Sequence, residues 1–60
     1  MKYEANGYVI NNVPAYAEEE IADGKVIVAR YIDDEMWFYG TYDKATAYEV
    51  ADEIGGIVIG

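Results

Sequence analysis

From Lys25 to Tyr42 the chain is an almost unbroken apolar and aromatic run, interrupted by the acidic triplet Asp33-Asp34-Glu35. Val26-Ile27-Val28-Ala29 before the triplet and Met36-Trp37-Phe38-Tyr39 after it are rich in β-branched and aromatic residues, so the stretch reads as a β-hairpin bent at the acids. Side chains alternate across a strand, which sets Trp37, Tyr39 and Thr41 on one face and Met36, Phe38, Gly40 and Tyr42 on the other. In the first arm Val26, Val28, Arg30 and Ile32 oppose Ile27, Ala29 and Tyr31. Neither set is polar. A sheet wetted on one side alternates apolar with polar, so both faces of this hairpin call for cover.

The rest of the chain is short, at 60 residues in all. One domain of this size buries only roughly 60% of its unfolded surface, and with no Cys there is neither a disulfide nor a thiolate metal site to supplement the core. Self-association is the expected supplement. No apolar run approaches the ~20 residues that span a bilayer, and a soluble, cytoplasmic protein is expected.

Asn6-Gly7 is a turn dipeptide, followed by a short strand at Tyr8-Val9-Ile10 that ends at Asn11-Asn12. Tyr3-Glu4-Ala5 is read as a loose terminus rather than the other arm of a small hairpin. Between Pro14 and Ala22 two readings stand. Val13, Ala17 and Ile21 recur every four residues behind Asn11, Asn12 and Pro14, which suits a capped helix ended by Asp23-Gly24. Asp23-Gly24 is equally a hairpin turn, although Glu18-Glu19-Glu20 would then place carboxylates on both faces of a strand, which favours the helix.

Asp43 precedes Lys44 to Ile54, where Ala47, Val50, Ala51 and Ile54 form one apolar stripe with Glu49, Asp52 and Glu53 outward. This is an N-capped amphipathic helix, closed by Gly55-Gly56 and followed by the apolar strand Ile57-Val58-Ile59. The expected class is α+β: a small, mostly antiparallel sheet with one or two helices packed on one face. Its order is β-α-β-β-α-β, the ferredoxin-like order, or a β-rich sheet with a single helix. The uncovered face would then associate with another copy through Trp37, Tyr39 and Tyr31, as a homodimer or higher oligomer.

Chemistry is constrained by what is missing. His, Cys and Ser are absent, which removes the common nucleophile-base pairs, and no catalytic residue, cofactor or metal is assigned. Asp33, Asp34 and Glu35, and likewise Glu18, Glu19, Glu20 and Asp23, lack the alternating acids and central Gly of a calcium loop, and read as hydrated surface. Trp37, Phe38 and Tyr39 could serve as a base-stacking platform, but such platforms need a basic groove. Lys25, Arg30 and Lys44 do not make one.

Twelve acidic residues against four basic ones give a formal net charge of −8. That field opposes direct nucleic-acid binding and favours a protein partner with a basic surface. Carboxylates on a helix, ~5–6 Å apart, approximate a row of phosphates. In size and charge the chain resembles the small acidic inhibitors of bacteriophages, the anti-restriction and anti-CRISPR class, which occupy the nucleic-acid groove of an enzyme. The resemblance implies a non-enzymatic inhibitor. Glu49, Asp52 and Glu53 are the first candidates for the contact, and Asp33, Asp34 and Glu35 the second. The alternatives are a structural or regulatory homo-oligomer built on the aromatic sheet face, or a small DNA-contacting module.

Overall fold

A computed structural model describes residues 1–60. The elements in order are β1 (Tyr3–Ala5), β2 (Tyr8–Asn11), α1 (Tyr16–Ala22), β3 (Val26–Ile32), β4 (Glu35–Tyr42), α2 (Lys44–Ile54) and β5 (Ile57–Ile59). The five strands form one sheet in the order β1-β2-β4-β3-β5. Every neighbouring pair is antiparallel except β2 and β4, which run parallel. The class is therefore α+β with a mostly antiparallel sheet, as its sequence indicates. No helix is long and apolar enough to cross a membrane.

Both hairpins turn through residues with positive φ, Asn6 and Gly7 in the first and Asp33 and Asp34 in the second. Two successive left-handed residues give a turn whose twist matches that of the flanking strands. The first hairpin corrects the expectation of a loose start. Tyr3, Glu4 and Ala5 pair with Ile10, Val9 and Tyr8, and Val13 donates its backbone N–H to the Met1 carbonyl at 2.7 Å. The strand forms because the turn sets its register and Tyr3 and Ala5 pack against the core.

The helical reading of the segment after Pro14 holds. Neither Asn caps it, however: α1 begins behind Ala15 without a side-chain cap. Asn12 turns the chain with φ 62°, and the Asn11 amide donates to the Met36 carbonyl at 3.1 Å, tying β2 to β4. α2 starts and stops as expected. Asp43 Oδ1 accepts the Thr46 N–H at 2.9 Å, and Gly55 takes the left-handed conformation while Gly56 donates to the Ala51 carbonyl at 2.8 Å.

The sidedness differs from the expectation of helices sharing one face. Ile27 and Ala29 pack with Ala17 of α1, together with Ile10, Val13, Met36 and Ile59. Val26 and Val28, pointing the other way, pack with Ala47 and Ala51 of α2. The helices thus take opposite faces, and Val26 to Ala29 is buried on both sides. The last strand explains the position of α2: β4 and β5 both run antiparallel to β3, so the helix joining them must pass over β3. The ferredoxin-like order gives way to an added first strand and a last strand seated beside β3.

A bulge breaks the simple alternation of β4. Val28 faces Gly40 but Ala29 faces Phe38, leaving Tyr39 as the extra residue. Met36 and Phe38 consequently belong to the α1 side, whereas Tyr42 belongs to the α2 side. The expected grouping of Met36, Phe38, Gly40 and Tyr42 on one face is corrected accordingly.

Candidate functional site

The outer side of α2 carries Glu49, Asp52 and Glu53, all exposed, while Ala47 and Ala51 are buried beneath. Residues three and four apart on a helix are lateral neighbours, so Glu49 stands beside both Asp52 and Glu53. Exposed Tyr48 precedes Asp52 by one turn. Three like charges in one ridge repel, and two of them lie in the last turn, where the helix dipole presents its negative pole. No basic residue occupies that turn. Lys44 sits instead at the first position, beside the positive pole. The charge order of α2 is the reverse of what helix stability favours.

α1 offers a useful contrast. Its Glu18 and Glu19 lie in the first turn, where a carboxylate stabilises the helix. Because α1 and α2 take opposite faces, the two acidic groups do not merge into the single band that helices on one face would have made. The carboxylate set closest to a continuous row is therefore Glu49, Asp52 and Glu53 alone.

Asp33, Asp34 and Glu35 are exposed at the tip of the second hairpin. Since β2 and β4 are parallel, this tip and the Asn6-Gly7 tip point the same way. β2 and β4 pair only at Ile10–Met36 and Asn11–Trp37. Beyond those pairs the hairpins part around an open cleft of about 280 Å³, with Tyr8 and Val9 on one wall and Tyr31, Asp34 and Glu35 on the other. No three acidic side chains converge in a way that could hold a metal ion.

The aromatic trio expected to self-associate is divided by the register. Trp37, half-buried, pairs with Arg30 on the face that carries α2. Tyr31 pairs with Met36 and so belongs to the other face. Tyr39, 45% exposed, is the bulge residue, and the Arg30 guanidinium carbon lies 5.8 Å from its ring centroid, a cation–π contact.

On the α2 face, α2 covers the half of β3 that holds Val26 and Val28. The half nearer the hairpin tips stays open. Register sets Glu4 beside Val9 and Ile32 beside Glu35 nearer the tips, the two pairs parted by the cleft, and Asn11, Trp37 and Arg30 side by side in the next row. Val9 and Ile32 are exposed by 46% and 43%, more than buried packing partners would be. Sequence patterning does not reveal this surface, because the parallel pairing of β2 with β4 is what brings Asn11 beside Trp37.

One ionisable group is clearly perturbed. The Thr46 backbone N–H and hydroxyl bonding to Asp43, assisted by the charge of Lys25, hold its carboxyl below the usual 3.8. This is a helix cap and not a reactive acid. Comparison of the chain with family models, curated proteins and solved structures gives no match.

Proposed function

We propose that the chain is a non-enzymatic acidic binding protein that presents Glu49, Asp52 and Glu53 of α2 to a basic surface on a protein partner. The observation that carries this reading is the reversed charge order of α2. Carboxylates at a helix C-terminus and like-charge neighbours each cost a few tenths of a kcal/mol or more, so the ridge lowers the stability of its own helix. A contact with Lys and Arg side chains removes that cost on binding and supplies steering over the approach. The partner class that best suits a short row of carboxylates is an enzyme with a nucleic-acid-binding groove, which makes the chain an inhibitor by charge mimicry. The loss of the shared two-helix band narrows the contact to one ridge, with Asp33, Asp34 and Glu35 as a separate acidic point.

Immobilised chain incubated with bacterial lysate tests the reading. The expected result is capture of a basic nucleic-acid enzyme that is released by ~0.5 M salt, where screening extends to only a few ångströms, and by duplex DNA. The variant Glu49→Lys/Asp52→Lys/Glu53→Lys should capture none of it. Equal capture by this variant removes the ridge from the contact, and capture that resists both salt and DNA removes charge mimicry.

A further inference from the structure

We infer that Asn6 is a site of spontaneous covalent conversion by water, and that its product unlatches the first hairpin. Asn6 and Gly7 are both exposed at the tip of that hairpin. The Gly7 N–H and the Asn6 side-chain amide take part in no hydrogen bond of the chain. Gly7 has no side chain to shield its nitrogen, and a Cβ built there would meet nothing within 4 Å. An amide carbon and the backbone nitrogen that can close a cyclic imide on it therefore stand together, neither engaged elsewhere.

The same chemistry is blocked at the comparable sites. The Asn11 side-chain amide donates to the Met36 carbonyl at 3.1 Å. The nitrogen that Asn12 would need is that of Val13, which is buried, β-branched and donates to the Met1 carbonyl at 2.7 Å. At Asp23-Gly24, where an acid could close the same ring, the Gly24 N–H donates to the Ile21 carbonyl at 3.0 Å. The first hairpin is also the part of the sheet that opens most readily. Ring closure requires rotation about the Asn6 Cα–C bond, which opens the turn. β1 is an edge strand held to the sheet by three residue pairs on one side only, and segments with so few contacts open at low cost.

In the step itself the Gly7 nitrogen bonds to Asn6 Cγ as its proton passes to water or hydroxide. The Cγ–Nδ2 bond breaks, and the leaving nitrogen takes a proton from water and departs as ammonia. Water then opens the cyclic imide at either carbonyl. Opening at Cγ leaves an aspartate in a normal backbone, whereas opening at the Asn6 main-chain carbonyl leaves an isoaspartate, whose backbone runs through Cβ and Cγ. Either product adds one carboxylate, taking the formal net charge from −8 to −9, next to Gly7, which lines the cleft with Asp34 and Glu35. Isoaspartate also lengthens the main chain inside a two-residue turn. Turn length and twist set the register of a hairpin, so the pairing of Tyr3, Glu4 and Ala5 with Ile10, Val9 and Tyr8 is lost. The bond from Val13 to Met1 goes with it, and β2 becomes the edge of the sheet.

Folded wild type, the urea-unfolded chain and the variants Asn6→Gly and Asn6→Asp, held in mildly alkaline buffer and mapped by mass spectrometry of their peptides, test the inference. In folded wild type the Asn6 peptide should gain the mass of an amide-to-acid change and resolve into isoaspartate and aspartate forms, while Asn11 and Asn12 keep their amides. In the purified isoaspartate form the Val13 amide should exchange its hydrogen at least about tenfold faster than in wild type. Asn6→Gly should keep both its mass and the Val13 protection. Freshly prepared Asn6→Asp adds the charge without the longer backbone and keeps a favoured turn pair, so its Val13 amide should stay protected. An Asn6 that remains unconverted in the folded protein while the unfolded chain converts to completion overturns the inference. So does conversion of Asn11 or Asn12 at the rate of Asn6, or an isoaspartate form whose Val13 amide is as protected as in wild type.

Discussion

The ring of Tyr42 lies across Gly40, so close that a Cβ on Gly40 would stand 2.7 Å from the Tyr42 hydroxyl oxygen and 2.8 Å from a ring carbon. The bulge at Tyr39 places both residues on the α2 side, where Tyr42 packs against Val26 and Val28. Gly40 is thus the floor under an aromatic ring, and the ring is what buries it. Gly40→Ala should displace Tyr42 and cost about 1–2 kcal/mol, the ordinary penalty of overpacking. In a Tyr42→Ala background the same change should be neutral or slightly stabilising, since Ala has less freedom to lose than Gly in a strand. A double-mutant cycle by urea denaturation should return a coupling of about 1 kcal/mol or more; additive effects would mean that the ring does not rest on Gly40.

The cap at Asp43 predicts a pH-dependent stability. Its carboxyl is held below 3.8 in the folded chain by the Thr46 bonds, so the folded state binds the proton more weakly than the unfolded state does. The stabilisation is present above the unfolded value and lost as pH falls through the lower folded one. Asp43→Ala should remove the cap and lower the melting temperature at pH 7. The gap from wild type should shrink as the solution is taken below pH ~4. Asp43→Asn, which keeps the acceptor without the charge, should retain most of the stability at pH 7 and flatten its acid dependence.

α2 was legible in the sequence because each of its signals is local: Asp43 before it, the stripe of Ala47, Val50, Ala51 and Ile54 along it, and Gly55 after it. The hairpin of β3 and β4 was legible for the same reason. The buried run Val26 to Ala29 also signalled correctly that both sheet faces are covered, but the cover on the second face is α1 of the same chain. That choice depends on where β5 docks, a contact between Ile57–Ile59 and a strand nearly thirty residues earlier, and no local pattern records it. The bulge was hidden as well. One extra residue at Tyr39 shifts the alternation of everything after it, so Tyr42 moved to the face opposite Met36 and Phe38. The acidic ridge of α2 was visible from its spacing, whereas the neighbouring of Asn11 and Trp37 on the open half of that face required the β2–β4 register.

If the ridge on α2 is kept for a partner and not for the helix, removing it should make the free protein more stable. Reversing Glu49, Asp52 and Glu53 to Lys takes the formal net charge from −8 to −2 and puts cations beside the negative pole, with the like-charge repulsion inside the ridge exchanged for one of the opposite sign. The two last-turn reversals alone should contribute about 0.3–1 kcal/mol each, and a gain of 1 kcal/mol raises the melting temperature of a domain this small by roughly 4–8 °C. A melt in low salt should show the rise, and salt should shrink it. A fall in melting temperature would mean that these carboxylates serve the fold, and the reading of α2 as a binding helix would lose its main support.

The two hairpins provide a last, internal comparison. Asn6-Gly7 and Asp33-Asp34 occupy the same kind of turn, with φ of 51° and 82° in the first and 52° and 66° in the second. The left-handed region costs an L-residue about 1–2 kcal/mol, somewhat less for Asp or Asn, and Gly escapes it. The first turn therefore uses favoured residues, while the second accepts strain at Asp34 and places three carboxylates side by side. Asp34→Gly should stabilise the protein by about 0.5–1 kcal/mol, and Gly7→Asp should cost a similar amount, both read from urea midpoints at constant m. The same Asp34→Gly protein then separates fold from function. Unchanged partner capture at higher stability assigns the tip acids to solubility alone, and weaker capture by a more stable protein adds Asp34 to the contact surface beside the α2 ridge.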